Sequence, residues 1–311
     1  MFLSTVMTRS ICTFIFVEFE LHGDAKSLCC GGLCRFCRLC SKVGVNYYSP
    51  CWWTHSYCIS AIQGGAGRLE LCGNLGLGGG VTPSLGLLKA VQKALHAAGN
   101  NIPIMTMVRP RTGDFLYTNG EIDVMIEDIQ IFKEHGVQGV VIGALTSDGR
   151  VDKERTKRLV DASFPLEICF HRAFDMTRDP EEALSDILNI GGITRILTSG
   201  QGKSAPASIN VLQSLLKMAK ARGKEGNTVV IVPGSGIDGK TVDAVLDSLL
   251  SLGLSEIHLS GGNWIEGGMD FRREGMGMGV GSSGEWGVWI TNKEKITEVR
   301  EKVNKRQNTV E

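Results

Sequence analysis

From about residue 68 onward, short apolar or β-branched runs alternate with longer stretches of helical period. The runs fall at Arg68–Cys72, Ile102–Val108, Val137–Ile142, Leu166–His171, Ile193–Thr198, Thr228–Val232 and Glu256–Ser260, and each has the length of a strand. Between them, residues 121–134 place Ile122, Met125, Ile126, Ile129 and Phe132 on one helical face. Residues 209–219 do the same with Ile209, Leu212, Leu215, Leu216 and Ala219, and residues 242–250 with Val242, Val245, Leu246, Leu249 and Leu250. Thr82-Pro83-Ser84 and Asp179-Pro180 read as helix starts, Gly136 and Gly253 as helix stops. An eighth strand is expected at Val45–Trp52, ahead of a helix at about 54–65. This rhythm predicts an α/β fold of parallel β/α units, a (β/α)8 TIM-type barrel with an atypical first strand, rather than an open doubly wound sheet.

Strand alternation then sorts the side chains by face. Arg68, Glu70 and Cys72 share one side, as do Glu167, Cys169 and His171, and Glu256, His258 and Ser260. Helices outside a barrel need apolar neighbours, so these polar faces are expected to point inward. Two readings follow. Either the glutamates pair with arginines as buried ion pairs, or they line a polar chamber that opens at the C-terminal mouth, where barrels handle ligands.

The segment Phe170-His171-Arg172-Ala173-Phe174-Asp175 delivers an imidazole, a guanidinium and a carboxylate to that mouth. His171, Arg172 and Asp175, with Glu70 below them, are the catalytic candidates. His171 is read as a general acid/base, because an ordinary imidazole titrates near neutrality. Arg109 and Arg111 follow the third strand, Ser199 the sixth, Gly234-Ser235-Gly236 the seventh and Ser260 the eighth. Together they form a candidate anion-binding set for a phosphate or carboxylate. The plainer alternative is that the glycines make tight turns and the histidine a structural hydrogen bond. A second chemistry is thiolate: Cys51 and Cys72 would end neighbouring strands, and soft sulfur selects Cu(I), although a buried cysteine is more often a small hydrophobe.

Composition narrows the partners. Thirty-three basic residues balance thirty-three acidic ones, and no basic stripe carries interleaved aromatics, which excludes nucleic acid as an expected partner. No apolar run reaches the ~18 residues of a membrane span. Eight of the ten cysteines precede residue 60, a distribution that fits a reducing compartment better than a secreted disulfide framework. Cys34, Cys37 and Cys40 make two overlapping C-x-x-C spacings, readable as a zinc or iron-sulfur site or as a segment outside any folded module. Gly76-Leu77-Gly78-Gly79-Gly80 sits too far past its strand for a dinucleotide fingerprint, so no nucleotide cofactor is expected. Residues 261–287, with Met269, Met276 and Met278, are long for a barrel connection and read as a lid or an intersubunit contact.

Six ordered motifs carry a resemblance: Gly64-Gly65-Ala66-Gly67-Arg68-Leu69-Glu70-Leu71-Cys72, Gly79-Gly80-Val81-Thr82-Pro83-Ser84, Arg109-Pro110-Arg111-Thr112-Gly113-Asp114-Phe115, Phe170 to Asp175, Leu197-Thr198-Ser199-Gly200 and Glu256-Ile257-His258. From about residue 55 to 306 the chain resembles the copper homeostasis protein CutC family. The resemblance implies a TIM-type barrel in the cytoplasm (the nucleus is a second expected location), a homo-oligomer (dimer or tetramer), and Cu(I) held by cysteines at the positions of Cys51 and Cys72. It implies no established reaction. The alternative function is therefore an enzyme acting on a small anionic metabolite, with His171 as acid/base. The first strand departs from the family pattern of an apolar residue followed by Glu-Val-Cys, because Tyr48-Ser49-Pro50-Cys51-Trp52 stands there. Residues 1–44 are expected to be a non-family extension, disordered or introduced by a wrong exon choice, residues 45–306 the barrel and 307–311 a tail.

Overall fold

The computed structural model describes residues 13–20, 52–75, 78–223, 228–273, 275–276 and 285–310. The strands are β1 (Thr13–Glu20), β2 (Arg68–Gly73), β3 (Ile104–Met107), β4 (Gly139–Ile142), β5 (Glu167–Phe170), β6 (Arg195–Thr198), β7 (Val230–Pro233) and β8 (Glu256–Leu259). Helices α1 (Trp52–Gln63), α2 (Leu85–Ala97), α3 (Asn119–Glu134), α4 (Lys153–Ser163), α5 (Pro180–Ile190), α6 (Ile209–Gly223) and α7 (Val242–Leu249) alternate with them. A hairpin of β9 (Gly262–Ile265) and β10 (Val288–Thr291) precedes the last helix, α8 (Lys293–Val310).

Local chemistry explains the helix boundaries. Ser84 accepts a hydrogen bond from the Leu87 N–H and so begins α2. Thr118 and Glu121 form a reciprocal capping box on α3. Asp179 caps α5 just ahead of Pro180, whose missing N–H is harmless in the first turn. The other faces of these helices bury the periodic leucines, isoleucines and valines read from the sequence.

The sheet runs in the order β7-β6-β5-β4-β3-β2-β1-β8. Strands β2 to β7 pair in parallel, each with its successor. The sheet curls until β8 returns beside β7: a Cβ built on Gly234, just past β7, would lie 3.3 Å from the His258 ring of β8. Among the described residues no ladder joins those two strands, so side-chain packing makes the last step of the ring.

The first strand differs from the sequence expectation. Residues 45–51 lie outside the described residues, and Trp52 opens α1 instead of ending a strand. The slot between β2 and β8 holds Thr13–Glu20, which falls inside the stretch set outside the barrel above. It is antiparallel to both neighbours, from Thr13 opposite Gly73 to Glu20 opposite Glu256. The physical preference is clear. Thr13–Glu20 is a β-branched and aromatic run with a full set of N–H donors, whereas Pro50 would remove one from a central ladder. Residues 261–287 are not a plain connection either, since their first residues enter the β9–β10 hairpin. Met269 and Met276 are exposed, and Met278 lies outside the described residues.

Alternation along each strand separates two cores. Leu69, Leu71, Ile142, Ile168, Phe170, Ile196, Ile231 and Ile257 face the helices. Their neighbours Met105, Val141, Cys169, Leu197 and Val232 form a distinct cluster inside the ring. Below it, four charged side chains interlock across β2, β5, β6 and β8. Arg68 meets Glu256 at 3.0 Å, and Arg195 meets Glu256 at 2.9 Å and Glu167 at 2.7 Å. The ion-pair reading thus holds for Glu167 and Glu256. Glu70 sits one layer higher, fully buried, with Oε2 3.9 Å from the His258 Nδ1.

Glu256→Gln should destabilise the fold by about 2–4 kcal/mol, because it removes the nearer carboxylate of Arg68 and one of the two that hold Arg195, leaving both buried guanidinium groups only the half-exposed Glu167. Glu167→Gln should have the smaller effect, since that carboxylate is about half exposed. Urea unfolding of both variants checks the order; equal small losses would mean the quartet contributes little.

Candidate functional site

The C-terminal ends of the strands enclose a cavity of about 940 Å³, lined by Glu70, Met107, Arg109, Phe115, His171, Ser235, Gly236, His258, Ser260 and Trp289 among others. Polar and charged side chains from several strand ends thus share one cavity with apolar neighbours, and the individual candidates fare differently.

His171 follows β5 and is almost fully buried. Its Nδ1 accepts a hydrogen bond from the Ala173 N–H at 3.1 Å. A nitrogen that accepts cannot carry the proton, so in the neutral ring the hydrogen belongs to Nε2. Nε2 is enclosed and makes no hydrogen bond among the described residues. Burial, reinforced by the charge of Arg109, pulls its pKa down to about 3. His171 is thus a neutral hydrogen-bond donor, and the near-neutral titration expected from an ordinary imidazole does not apply. Room for the ring is left by Gly143, where a Cβ would come within 2.6 Å of the imidazole Cε1.

Asp175 and Ser199 are brought together but are consumed by each other. The Asp175 carboxylate accepts from the Thr198 hydroxyl, the Ser199 N–H at 2.9 Å, the Gln201 N–H at 3.2 Å and Arg172 Nε at 2.7 Å. Ser199 Oγ lies 2.9 Å from that carboxylate and accepts from Arg172 Nη2 at 3.1 Å. This knot fixes the loop after β6 and leaves Ser199 outside the cavity lining. Gly234 is likewise outside the lining; its N–H continues the sheet to the Thr198 carbonyl.

The two arginines after β3 part company. Arg109 is buried and lines the cavity. Its Nη1 donates to the Gly78 and Gly80 carbonyls, its Nη2 to Gly113, and its guanidinium lies 4.8 Å above the Phe115 ring. Arg111 turns away to Glu121 at 2.5 Å and Asp114 at 3.0 Å, so the paired anion clamp does not form. The reason is the capping box of α3, which holds Glu121 close to Arg111.

Of the proposed thiols, Cys51 lies outside the described residues. Cys72 is fully buried on β2, with Met107 of β3 as its sulfur neighbour and with Leu75 and Trp289 packed against the pair. The sequence reading missed Met107 and Trp289. Met107 shares the inward register of Arg109 two residues on, a signal that was available. Trp289 reaches the mouth through the β9–β10 pairing, which no local pattern announces. Burial, with the Glu70 charge beside it, raises the Cys72 thiol well above its ordinary pKa, so it is protonated at neutral pH.

A depressed His171 pKa means that the unfolded chain takes up a proton that the native ring refuses. Stability should therefore fall as pH drops from the ordinary imidazole value toward about 3. Nitrogen-detected NMR should show the His171 ring neutral, with hydrogen on Nε2, at pH 5; a titration midpoint near neutrality would refute the assignment.

The CutC family model matches residues 50–263. The copper homeostasis protein cutC homologue of Mus musculus is 40% identical over 239 residues, covering 76% of this chain and 82% of its own. The Homo sapiens homologue is 39% identical over the same shares. A CutC family protein of Chromobacterium violaceum is 38% identical over 80% of this chain and 94% of its own. Among solved structures, a copper homeostasis protein CutC of Streptococcus agalactiae superposes with a TM-score of 0.56 at 31% identity, over 63% of this chain and 89% of its own. With the strand-end motifs placed around one mouth and these relatives matched across most of their length, the chain belongs to the CutC family.

Proposed function

We propose that this barrel serves copper homeostasis by holding Cu(I) at the Cys72–Met107 sulfur pair. Relatives at 38–40% identity, two of them bearing copper homeostasis in their names, support the biological role. The observation that carries the chemistry is the space at Gly80. A Cβ placed there would lie 3.0 Å from Cys72 Sγ and 3.1 Å from Met107 Sδ. Glycine at this position, with φ of +93°, leaves a small gap that two sulfurs face. A thiol and a thioether with Trp289 packed against them form a soft donor set, which suits Cu(I) over hard cations. The Glu70 carboxylate, whose charge is felt by the thiol, adds attraction for a cation.

The metal ion here is cargo, and its capture requires the Cys72 proton to leave. A soluble protein in the cytoplasm fits this reading. No described helix is long and apolar enough to cross a membrane.

Anaerobic Cu(I) competition titration tests the proposal. Cys72→Ser should weaken binding by roughly two orders of magnitude or more and Met107→Leu, a volume-conserving change, by roughly tenfold. Affinity in the parent protein should rise roughly tenfold per pH unit below the thiol pKa, as one proton is released per ion. Unchanged affinity in Cys72→Ser would end the assignment.

A further inference from the structure

Beyond copper, the mouth carries donors that the sulfur pair does not use. Arg68 and Arg195, the other arginines inside the ring, each meet a carboxylate within about 3 Å. Arg109 is as buried as they are, and among the described residues it makes no ion pair at all; three carbonyls and an aromatic face hold it, and its Nε has no partner. A buried cation without a counter-charge is costly to keep unless an anion shares its site. His171, whose ring centroid lies 5.0 Å from that of the same Phe115, presents a second partnerless donor.

Across the mouth, Ser235 and Gly236 adopt positive φ of 75° and 71° and line the cavity. Among the described residues, the backbone N–H groups of Ser235, Gly236 and Ile237 donate to no protein acceptor. A left-handed conformation at Ser235 is held against the preference of an L residue, and consecutive unpaired amides form an anion-binding concavity. Strands β3 and β7 stand four positions apart in the eight-strand order, so Arg109 and this loop face each other from opposite sides. One small ion cannot reach both, whereas a cavity of about 940 Å³ has room for an elongated molecule. Of the acids that line the cavity, Asp175 is paired with Arg172, Asp114 with Arg111, and Glu70 lies 3.9 Å from the His258 Nδ1.

We propose that the mouth binds a small two-ended organic anion, its phosphate on the Ser235–Gly236–Ile237 amides and its carboxylate or carbonyl oxygen toward Arg109 and His171. The proposal is independent of copper, because Cys72 and Met107 take no part in it.

Titration calorimetry and thermal melting of the full chain, freed of metal by chelation, test it with 2-phosphoglycolate, inorganic phosphate and glycolate as probes. Saturable binding of 2-phosphoglycolate is expected, about tenfold or more tighter than phosphate alone, with a matching rise in melting temperature. Arg109→Gln should lose at least about tenfold in affinity. Because Arg109 also fastens two loops, His171→Gln serves as the second variant; it leaves those staples in place and should weaken 2-phosphoglycolate while sparing phosphate. Cys72→Ser should bind the probe as the parent does. Equal affinity for phosphate and 2-phosphoglycolate, no saturable binding of any probe at millimolar concentration, or undiminished binding in both Arg109→Gln and His171→Gln would each overturn the proposal.

Discussion

The four-way ion pairing of Arg68, Glu167, Arg195 and Glu256 fills the end of the ring opposite the site, and the rest of the interior depends on it. A barrel interior is ordinarily packed with branched apolar side chains in layers. Here one layer is ionic, joins β2, β5, β6 and β8, and satisfies charges that would be prohibitive singly. Above it lies the apolar ring of Met105, Val141, Cys169, Leu197 and Val232. Only above that second layer does the interior open into a cavity. The mouth can therefore keep polar groups because the lower layers already close the core to water.

Within the mouth, the same low-dielectric surroundings act differently on each group. They keep His171 neutral and make it a donor. They keep the Cys72 thiol protonated. Asp175 escapes this pressure because five donors converge on its carboxylate and fix it as the anchor of the β6 loop. Environment rather than residue type assigns these roles.

The proposed copper site and the proposed organic-anion site lie in different sectors of one opening. The sulfur pair lies on β2 and β3 beneath Trp289, whereas the unpaired amides follow β7. Arg109 borders both, since its guanidinium fastens the Gly78 and Gly80 carbonyls beside the sulfurs while its charge faces the cavity. A small ligand near Arg109 would thus sit close to the proposed sulfur site.

Periodicity alone located seven strands and most of the helices between them, because burying one face of each strand and helix is a local demand written at intervals of two and three to four residues. The same alternation put Glu70, Cys72, His171 and Glu256 inside the ring, and the strand-end motifs pointed to the family. What it left open depended on contacts between distant segments. Whether Arg111 joined Arg109 was decided by Glu121 on a neighbouring helix, and whether Asp175 was available by the amides of the β6 loop. Trp289 came to the mouth through a hairpin partner more than twenty residues away. The strand between β2 and β8 was settled by which segment could supply a complete ladder, and its antiparallel direction has no counterpart in any local pattern. Sequence fixes which side chains must be hidden; only the tertiary structure decides which partners they find there, since hydrogen bonds, ion pairs and desolvation act between neighbours in space.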